Sequence, residues 1–235
     1  ENVGHTKSAH DVDSGPPAMC SMPFRRVKLN GRRFCDETVG MELMNCELLS
    51  EADQGHYCQI FDSAYTTKAA GWPGGLVSPE EMKNYMPEEK VERKVVVESL
   101  INTYQADTLE ELAAKLKITD AAAFTATVKR YNEMAASGKD TEFGVPTKYL
   151  KTIDTPPYYG IHRHIRLTEA CSGVEVNGDH QCLDEHGQPI EGLYAIGNCA
   201  GNFYGGIDYP LDIFGLNLGH NYTAGYVVGT KVAVM

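Results

Sequence analysis

The sequence has little positive charge and no long apolar run. Its 235 residues include 21 Lys and Arg against 32 Asp and Glu, giving a formal charge of -11, and this balance argues against binding to a nucleic-acid backbone. No stretch approaches the ~18 consecutive apolar residues that a membrane span requires. We therefore expect no nucleic-acid partner and no membrane span.

Metal-binding and disulfide patterns are also missing. The seven cysteines are widely spaced without a CxxC pair, which is typical of reduced, mostly buried thiols. The eight histidines form no HExxH motif. His162 and His164 would share one face of a strand, but the sequence offers them no obvious third and fourth ligands. We expect no metal site.

The start of the chain lacks the charged and apolar regions of a signal peptide. It has no methionine and no helix or strand start, which is typical of a piece cut from a longer polypeptide. We interpret the chain as a possible fragment of a longer protein. We expect a cytoplasmic location, with export left open because a leader would lie upstream.

Composition and periodicity divide the chain into three parts. Residues 1–23 are polar and rich in Gly and Pro, which predicts a connecting segment. Residues 24–150 are mostly helical after an initial strand pair. From residue 151 the apolar period changes from 3.6 to 2, which predicts a sheet-based body over residues 151–235. The expected fold class is α+β or α/β.

Turn and capping signals place the elements of the middle region. Asn30-Gly31 lies between alternating residues and predicts a hairpin turn. Thr108 predicts a helix N-cap, and Asp120 predicts the start of a second helix that ends at Gly138. The expected inner stripe of that helix comprises Phe124, Val128, Tyr131 and Ala135.

The single tryptophan, Trp72, lies in the glycine-rich stretch 71–75. This stretch is expected to be an exposed loop. Two interpretations of the indole are open: a lid over a substrate, or a packed surface loop.

The end of the chain combines a strand, a glycine-rich bend and a helix. After turns at residues 177–178 and 184–187, Leu193 to Ile196 is expected to form a short buried strand. The last helix is expected to begin at Leu216, after Gly215. Bare backbone beside a helix N-terminus suits a ligand that contacts the main chain and carries negative charge. Taken alone, the pattern also fits a phosphate site or no site.

Several of these motifs resemble those of one enzyme family. GLYAIGN at 192–198, Tyr209-Pro210, and the Gly215 to Gly219 spacing followed by TAGY resemble the C-terminal flavin-binding segment of the fumarate reductase/succinate dehydrogenase flavoprotein superfamily. Asn198 together with Tyr209-Pro210 is closest to its 3-ketosteroid dehydrogenase-like branch. LNGRRFCDE and VKRYNEMAASGKDTEFG are similar to upstream stretches of the family, so the likeness spans residues 24–229.

The resemblance implies an FAD-dependent oxidoreductase acting on CH-CH groups. Residues 24–150 would form a capping domain inserted in a Rossmann-like FAD-binding domain, and residues 151–235 would be the C-terminal part of that domain. Hydride would pass between flavin N5 and an electron-poor alkene or a ketone-activated C–C bond of a small organic substrate. The electron donor or acceptor is left open.

The resemblance also implies roles for individual residues. Asn198 would contact the ribityl chain, and the main chain from Gly215 to Leu218 would face the pyrimidine edge of the ring. Tyr209 would polarise a substrate carbonyl through its hydroxyl group, although a buried structural tyrosine fits that position equally well. The implied cofactor-binding residues are Gly197, Asn198, Gly215, Leu216, Asn217 and Leu218.

The chain departs from the family pattern in three ways. It contains no GxGxxG, the motif with which the family binds the ADP half of FAD, so we expect that motif upstream and expect this chain alone to hold FAD weakly or not at all. The alternative is that the protein has lost its cofactor. Residues 38–41 lack the proton-donor arginine of fumarate reductases, which disfavours a dicarboxylate substrate. The bend IDYPLDIFG is longer than the ketosteroid pattern, so a steroid is only one option.

A second hypothesis assigns the chain a different class of function. It would be a non-catalytic binding or assembly module on a flavoprotein scaffold, with which the acidic composition and the absent arginines are compatible.

Overall fold

The computed structural model describes residues 19, 21–40, 44, 46–49, 54–93, 96, 98–164, 172–201, 203–204 and 213–234. They belong to two compact units, the first covering Asn2–Ile165 and the second Arg166–Met235. In this part of the chain no helix combines the length and the apolar character that a bilayer crossing demands.

Among its described residues, the first unit contains four strands and four uninterrupted α-helices. Its strands form one antiparallel sheet in the order β1-β2-β4-β3. Short 3-10 turns at Lys83–Tyr85, Glu98–Leu100 and Thr147–Tyr149 complete the unit. In chain order its elements are β1 (Arg25–Val27), β2 (His56–Asp62), α1 (Tyr65–Lys68), α2 (Pro79–Met82), β3 (Thr103–Ala106), α3 (Leu109–Lys115), α4 (Ala121–Ser137) and β4 (Tyr158–His164).

The sheet is covered on both faces, because alternate residues of its strands point to opposite sides. One cluster joins the sheet to helices α3 and α4, and it includes Cys58, Ile60, Leu112, Leu116, Phe124 and Val128. The other cluster lies on the opposite face and includes Phe61, Tyr65, Met82, Tyr159 and Ile161. The first unit therefore has a core of its own on each side of the sheet.

Local side-chain caps fix both long helices of this unit. The Thr108 hydroxyl accepts a hydrogen bond from the Glu111 amide at 3.2 Å, and the Asp120 carboxylate accepts one from the Ala123 amide at 2.8 Å. Gly138 ends α4 in the left-handed region with φ 72°. These predictions are confirmed. Phe124, Val128 and Tyr131 are buried as expected, whereas Ala135 is half-buried and Met134 is buried.

The predicted turn at Asn30-Gly31 is confirmed. The Gly31 amide donates to the Lys28 carbonyl at 2.9 Å, and Val27 bridges Arg33 across the turn. Gly31 has φ 78°, and a Cβ there would lie 2.7 Å from the backbone nitrogen of Phe124. Glycine is thus required both by the backbone conformation and by the close approach of helix α4.

A buried network of charges crosses the first unit. Arg25 contacts the Glu37 carboxylate and lies 3.6 Å from the centre of the Tyr131 ring. Arg33 donates to Glu37 at 3.1 Å and to Asp140 at 2.7 Å. Burial acts to raise the pKa of Asp140, but the Arg33 guanidinium and neighbouring backbone amides outweigh it and hold the pKa well below its usual value. The network ties the stretch after β1 to the segment after α4.

Trp72 is packed rather than exposed. Its ring lies 5.3 Å from that of Phe24 and 5.5 Å from that of Tyr149, and the side chain is half-buried. Glycines 71, 74 and 75 around it are exposed. Of the two interpretations, these contacts favour a packed surface loop.

The boundary between the units differs from the one expected at residue 150. Strand β4 (Tyr158–His164) pairs with β2 and β3, so residues 151–164 join the first unit. The change of period predicts a sheet-based body from residue 151, but pairing over long sequence separations places the first strand after residue 151 in the earlier sheet. Met19 and Met22, from the expected connecting segment, are also buried in the first unit, where their carbonyls accept hydrogen bonds from Gln59.

The second unit consists of a hairpin, a turn and a helix. Strands β5 (Gln181–Leu183) and β6 (Pro189–Tyr194) pair antiparallel, a 3-10 turn spans Gly197–Cys199, and helix α5 spans Leu216–Val232. The turns predicted at 177–178 and 184–187 are confirmed, since the Asn177 amide donates to Gln181 and the Gly187 amide donates to Asp184.

The prediction of a buried strand at Leu193 to Ile196 is wrong. The strand ends at Tyr194, and the Leu193 and Ile196 side chains are 48% and 37% exposed. Within the described residues β6 has only β5 as a partner strand. A two-stranded sheet with no second layer over it leaves its apolar side chains in contact with solvent.

The structure describes five of the seven cysteines. Cys35, Cys58 and Cys182 are buried, Cys46 and Cys199 are exposed, and none of these five forms a disulfide with another described cysteine. Burial raises the pKa of Cys58 to about 12, so its thiol is protonated at neutral pH.

Candidate functional site

The turn that follows β6 holds two of the predicted cofactor-binding residues. Gly197 and Asn198 lie in the 3-10 turn Gly197–Cys199. The segment before the hairpin holds this turn in place, because the Val174 amide donates to the Cys199 carbonyl at 3.0 Å and the Gly201 amide donates to the Val174 carbonyl at 2.9 Å. Asn198 is therefore presented from a turn whose backbone is anchored on a neighbouring segment.

Helix α5 begins where it was predicted to begin. Gly215 is its N-cap, with φ 78°, and it is followed directly by Leu216. A glycine cap supplies no side chain to accept from the first-turn amides, and no acidic residue lies in that turn. The Leu216 amide is used within the chain, since it donates to the Ile213 carbonyl at 3.1 Å. It is therefore not an open donor for a ligand.

The turn and the start of the helix come together. Gly197 has φ 60°, and a Cβ on it would lie 2.7 Å from Oδ1 of Asn221 in helix α5. The side chain of Asn217 is buried and accepts hydrogen bonds from Tyr204 at 3.4 Å and from Asn221 at 3.3 Å. Glycine at position 197 is thus favoured by its left-handed backbone, and a side chain there would also displace Asn221.

Sequence reasoning missed Asn221 and Tyr204 as parts of this contact. The spacing of Asn217 and Asn221 by four residues places both on one helix face, and this signal could have identified Asn221. Tyr204 lies in the glycine-rich bend, where no periodic pattern indicates its direction.

A cluster of rings lies beside the start of α5. His220 stacks on Phe203 with ring centres 3.9 Å apart and an interplanar angle of 7°, and the His180 ring lies 6.4 Å away. Burial, with a smaller contribution from His180, lowers the pKa of His220. The imidazole is therefore mostly neutral at pH 7, and the start of α5 carries the positive end of the helix dipole.

The backbone at the start of α5 is open to a large ligand. A Cβ on Gly215 or on Gly219 would meet none of the described atoms within 4 Å. The neighbouring side chains are apolar and exposed, Phe214 by 96% and Leu218 by 55%. A flat, partly apolar ligand can approach the main chain here.

Tyr209, the predicted catalytic residue, lies outside the described residues, as do positions 205–208. The sequence interpretation of Tyr209 therefore stays a prediction. Gly197, Asn198, Gly215, Leu216, Asn217 and Leu218 are all described and lie on the two segments that meet.

The first unit contains a separate small pocket. Its walls include Phe24, Tyr65, Trp72 and Tyr131, and Lys68 lies at its polar side. The ammonium group of Lys68 contacts Asp154 at 2.7 Å, and the hydrogen bonds and charges of Asp154 and Asp62 outweigh burial and raise its pKa. This pocket has aromatic walls and an ammonium group that is already paired.

Comparison with known proteins identifies the family. The FAD binding domain family matches residues 52–209, more than half of the chain. The chain belongs to this family. Members of the family bind FAD, which agrees with the expected cofactor.

Curated relatives include two reductases. The chain is 31% identical over 130 residues to vinyl phenol reductase of Lactiplantibacillus plantarum, covering 55% of this chain and 26% of that protein. It is 36% identical over 104 residues to a probable fumarate reductase of Shewanella frigidimarina, covering 43% of this chain and 17% of that protein. The chain thus spans about a quarter or less of the length of these relatives.

A solved structure with a similar fold is that of 3-ketosteroid delta1-dehydrogenase from Sterolibacterium denitrificans, in complex with 1,4-androstadiene-3,17-dione. The TM-score is 0.65 at 25% identity, covering 92% of this chain and 40% of that one. The expected resemblance to fumarate reductases and 3-ketosteroid dehydrogenases is confirmed, and so is the mixed α and β class in its coarse form.

Proposed function

We propose that the chain contributes two parts to an FAD-dependent oxidoreductase. The first unit acts as the capping body over a small organic substrate, with the boundary moved to residue 165. The second unit supplies part of the flavin site. When bound, FAD supplies hydride transfer at N5 to or from an electron-poor alkene or a ketone-activated C–C bond.

The start of α5 is the observation that carries this proposal. An uncapped helix N-terminus, open backbone at Gly215 and Gly219, and the nearby turn with Asn198 suit a planar ligand that gains negative charge on reduction. The amides of Asn217 and Leu218 are proposed to face the pyrimidine edge, while Asn198 is proposed to hold a ribityl hydroxyl group. Because the Leu216 amide is already bonded to Ile213, its proposed contribution is only to position its neighbours.

Tyr209 is proposed to polarise the substrate carbonyl. A tyrosine hydroxyl remains protonated at neutral pH and donates a hydrogen bond to an oxygen that gains charge in the reaction. This role agrees with a ketone-activated substrate. The lack of arginine at residues 38–41 continues to disfavour a dicarboxylate.

The proposal can be tested on the full-length product of the gene, purified without added cofactor. We expect a yellow protein with one flavin per chain that oxidises reduced viologen in the presence of an enone or an activated alkene. A colourless protein that turns over none of these acceptors would refute the oxidoreductase function and favour a non-catalytic module.

Two glycines of α5 allow the proposed cofactor site to be tested with a matched control. Gly219 and Gly229 both lie in α5 with open space around them, so valine is accommodated at either position in the folded chain. We expect Gly219→Val to weaken FAD binding by at least about tenfold, because the branched side chain keeps the ring from the backbone. Gly229→Val, near the other end, should retain FAD. Equal FAD content in both variants would remove the start of α5 from the site.

The role of Tyr209 has its own test. Tyr209→Phe should keep its flavin spectrum while kcat falls by about 10²–10³-fold, the usual cost of removing one donor to a developing oxyanion. An unchanged kcat would assign Tyr209 a structural role only.

A further inference from the structure

Pairing of β2 with β4 brings together four potential metal ligands that are far apart in the sequence. In the antiparallel register His56 lies opposite His164, and Cys58 lies opposite His162. Residues two apart on a strand point to the same side, so all four side chains share one face at one end of the sheet. No third and fourth potential ligands lie near His162 and His164 in the sequence, but strand β2 places His56 and Cys58 opposite them.

One distance within the group is close to that of a ligand pair. The sulfur of Cys58 lies 3.7 Å from Nδ1 of His162, and a tetrahedral zinc ion with bonds of about 2.3 Å to sulfur and 2.0–2.1 Å to nitrogen holds such a pair about 3.5 Å apart. The rings of His56 and His164 have centres 5.8 Å apart. As they stand, no three or more His, Cys, Asp or Glu side chains of the described residues are arranged to hold a metal ion. Metal binding therefore requires the exposed imidazoles of His56 and His164 to rotate toward the Cys58–His162 pair.

A neighbouring ring restricts the orientation of His162. The Tyr104 and His162 rings meet edge-on, with centres 5.8 Å apart and an interplanar angle of 87°. The Cys58 thiol must release its proton to solvent on binding, as thiol ligands do.

We propose that His56, Cys58, His162 and His164 form a binding site for a divalent transition-metal ion of the zinc type, clipping β2 to β4. Three imidazoles and one thiolate match the nitrogen and sulfur preference of such ions. The site is independent of the proposed flavin site, because all four ligands belong to the first unit.

Cobalt(II) is the probe, since its absorption reports thiolate ligation and tetrahedral geometry. The reduced 235-residue chain should bind one cobalt ion with a thiolate-to-metal charge-transfer band, and zinc should displace it. Cys58→Ser should abolish the band. His56→Gln and His164→Gln should each raise the Kd for zinc by at least about tenfold, because loss of a ligand costs no less than loss of its supporting partner.

Controls separate this site from other cysteines and histidines. His186→Gln and Cys46→Ser change exposed side chains elsewhere and should leave both the charge-transfer band and the Kd unchanged. Zinc should raise the Tm of the wild type and of both controls, and should raise that of His56→Gln or His164→Gln by a smaller amount at the same zinc concentration. His56 and His164 are exposed, so their variants decide the matter even if the buried Cys58→Ser variant fails to fold. Absence of the band in the wild type, or zinc binding unchanged in both histidine variants, would overturn the proposal.

Discussion

The two units differ in how far their apolar side chains are buried. In the first unit, Leu116, Phe124 and Ile60 are fully buried in the cluster on one face of the four-stranded sheet, and Met82 and Ile161 are fully buried in the cluster on the other face. In the second unit, Leu193, Leu218 and Tyr226 are about half exposed or more. A two-stranded hairpin is marginal by itself, so the second unit depends on the contact between α5 and the turn at Gly197. The comparison predicts that the proposed flavin segment lies in the less stable part of the described chain.

The largest effect is expected from breaking the buried charge network of the first unit. Glu37→Gln would leave the buried guanidinium of Arg25 without its carboxylate, and we expect unfolding free energy to fall by about 3–5 kcal/mol. Fluorescence of Trp72 during urea unfolding reports this unit, because it contains the only tryptophan of the chain. Glu80→Gln, in the exposed pair with Lys83, is the control and should leave the midpoint unchanged. Equal midpoints for the two variants would contradict the structural importance of the network.

The next largest effect is expected from truncating a leucine in each unit, because the loss of stability should differ between the two. Leu116 is fully buried against Gly160 of β4, and Leu116→Ala should lower stability by about 3 kcal/mol through lost burial and a residual cavity. Leu193→Ala removes a half-exposed side chain of β6 and should change stability by less than about 0.5 kcal/mol. Urea unfolding followed by Trp72 fluorescence and by circular dichroism measures both. A cost at Leu193 as large as that at Leu116 would show that β6 is covered in solution.

Gly197→Ala should weaken the second unit alone. The left-handed backbone and the 2.7 Å approach of Asn221 make alanine unfavourable by about 1–3 kcal/mol. Hydrogen exchange of the α5 amides should accelerate, while exchange in the sheet of the first unit stays unchanged. Gly178→Ala is the matched control, since a Cβ there would meet nothing within 4 Å and the backbone is not left-handed. If α5 exchanges at the same rate in both variants, the helix is held by other contacts.

The smallest and most gradual effect is expected from pH. The pKa of Asp140 is lowered in the folded state, so its carboxylate stabilises the first unit above the unfolded pKa of about 3.9, and this contribution is lost as the pH falls below that value. Asp140→Asn should be less stable at pH 7 and should lose less stability than the wild type between pH 5 and 3 (about the range in which free carboxylates titrate). Urea midpoints across this range test it. If the urea midpoints of the wild type and of Asp140→Asn fall in parallel with pH, Asp140 is not responsible for the pH dependence of stability.

Features set by neighbours in the sequence were predictable, and features set by distant pairing were not. The caps at Thr108 and Asp120 and the start of α5 at Gly215 involve a side chain or a glycine within a few residues of the affected amides. Assignment of residues 151–164 to the first unit depends on β4 pairing with β2 and β3. The opposition of His56 and Cys58 to His164 and His162 depends on the same register, which no local pattern indicates.

In the candidate site, too, the features set by neighbouring residues were predictable and those set by tertiary contacts were not. The start of α5 was predictable because a glycine, Gly215, directly precedes the helical pattern. The placement of Asn198 in a turn was predictable from its position directly after a strand. The approach of Asn221 to Gly197 and the use of the Leu216 amide by Ile213 arise from tertiary packing and bend geometry. Exposure of Leu193 and Ile196 could not be inferred, because an apolar run reads the same whether or not another layer covers it.

The order of strands in the first sheet has a consequence for how the chain folds during synthesis. Strand β4 is the last strand of this sheet to be synthesised, but it lies between β2 and β3. His162 of β4 is 104 positions away in the sequence from Cys58, the residue it faces on β2. Closing such long loops costs entropy before any contact is gained, which slows folding. Until β4 emerges from the ribosome, β2 and β3 each expose an unpaired edge, and the nascent chain is then most vulnerable to aggregation and most dependent on chaperones.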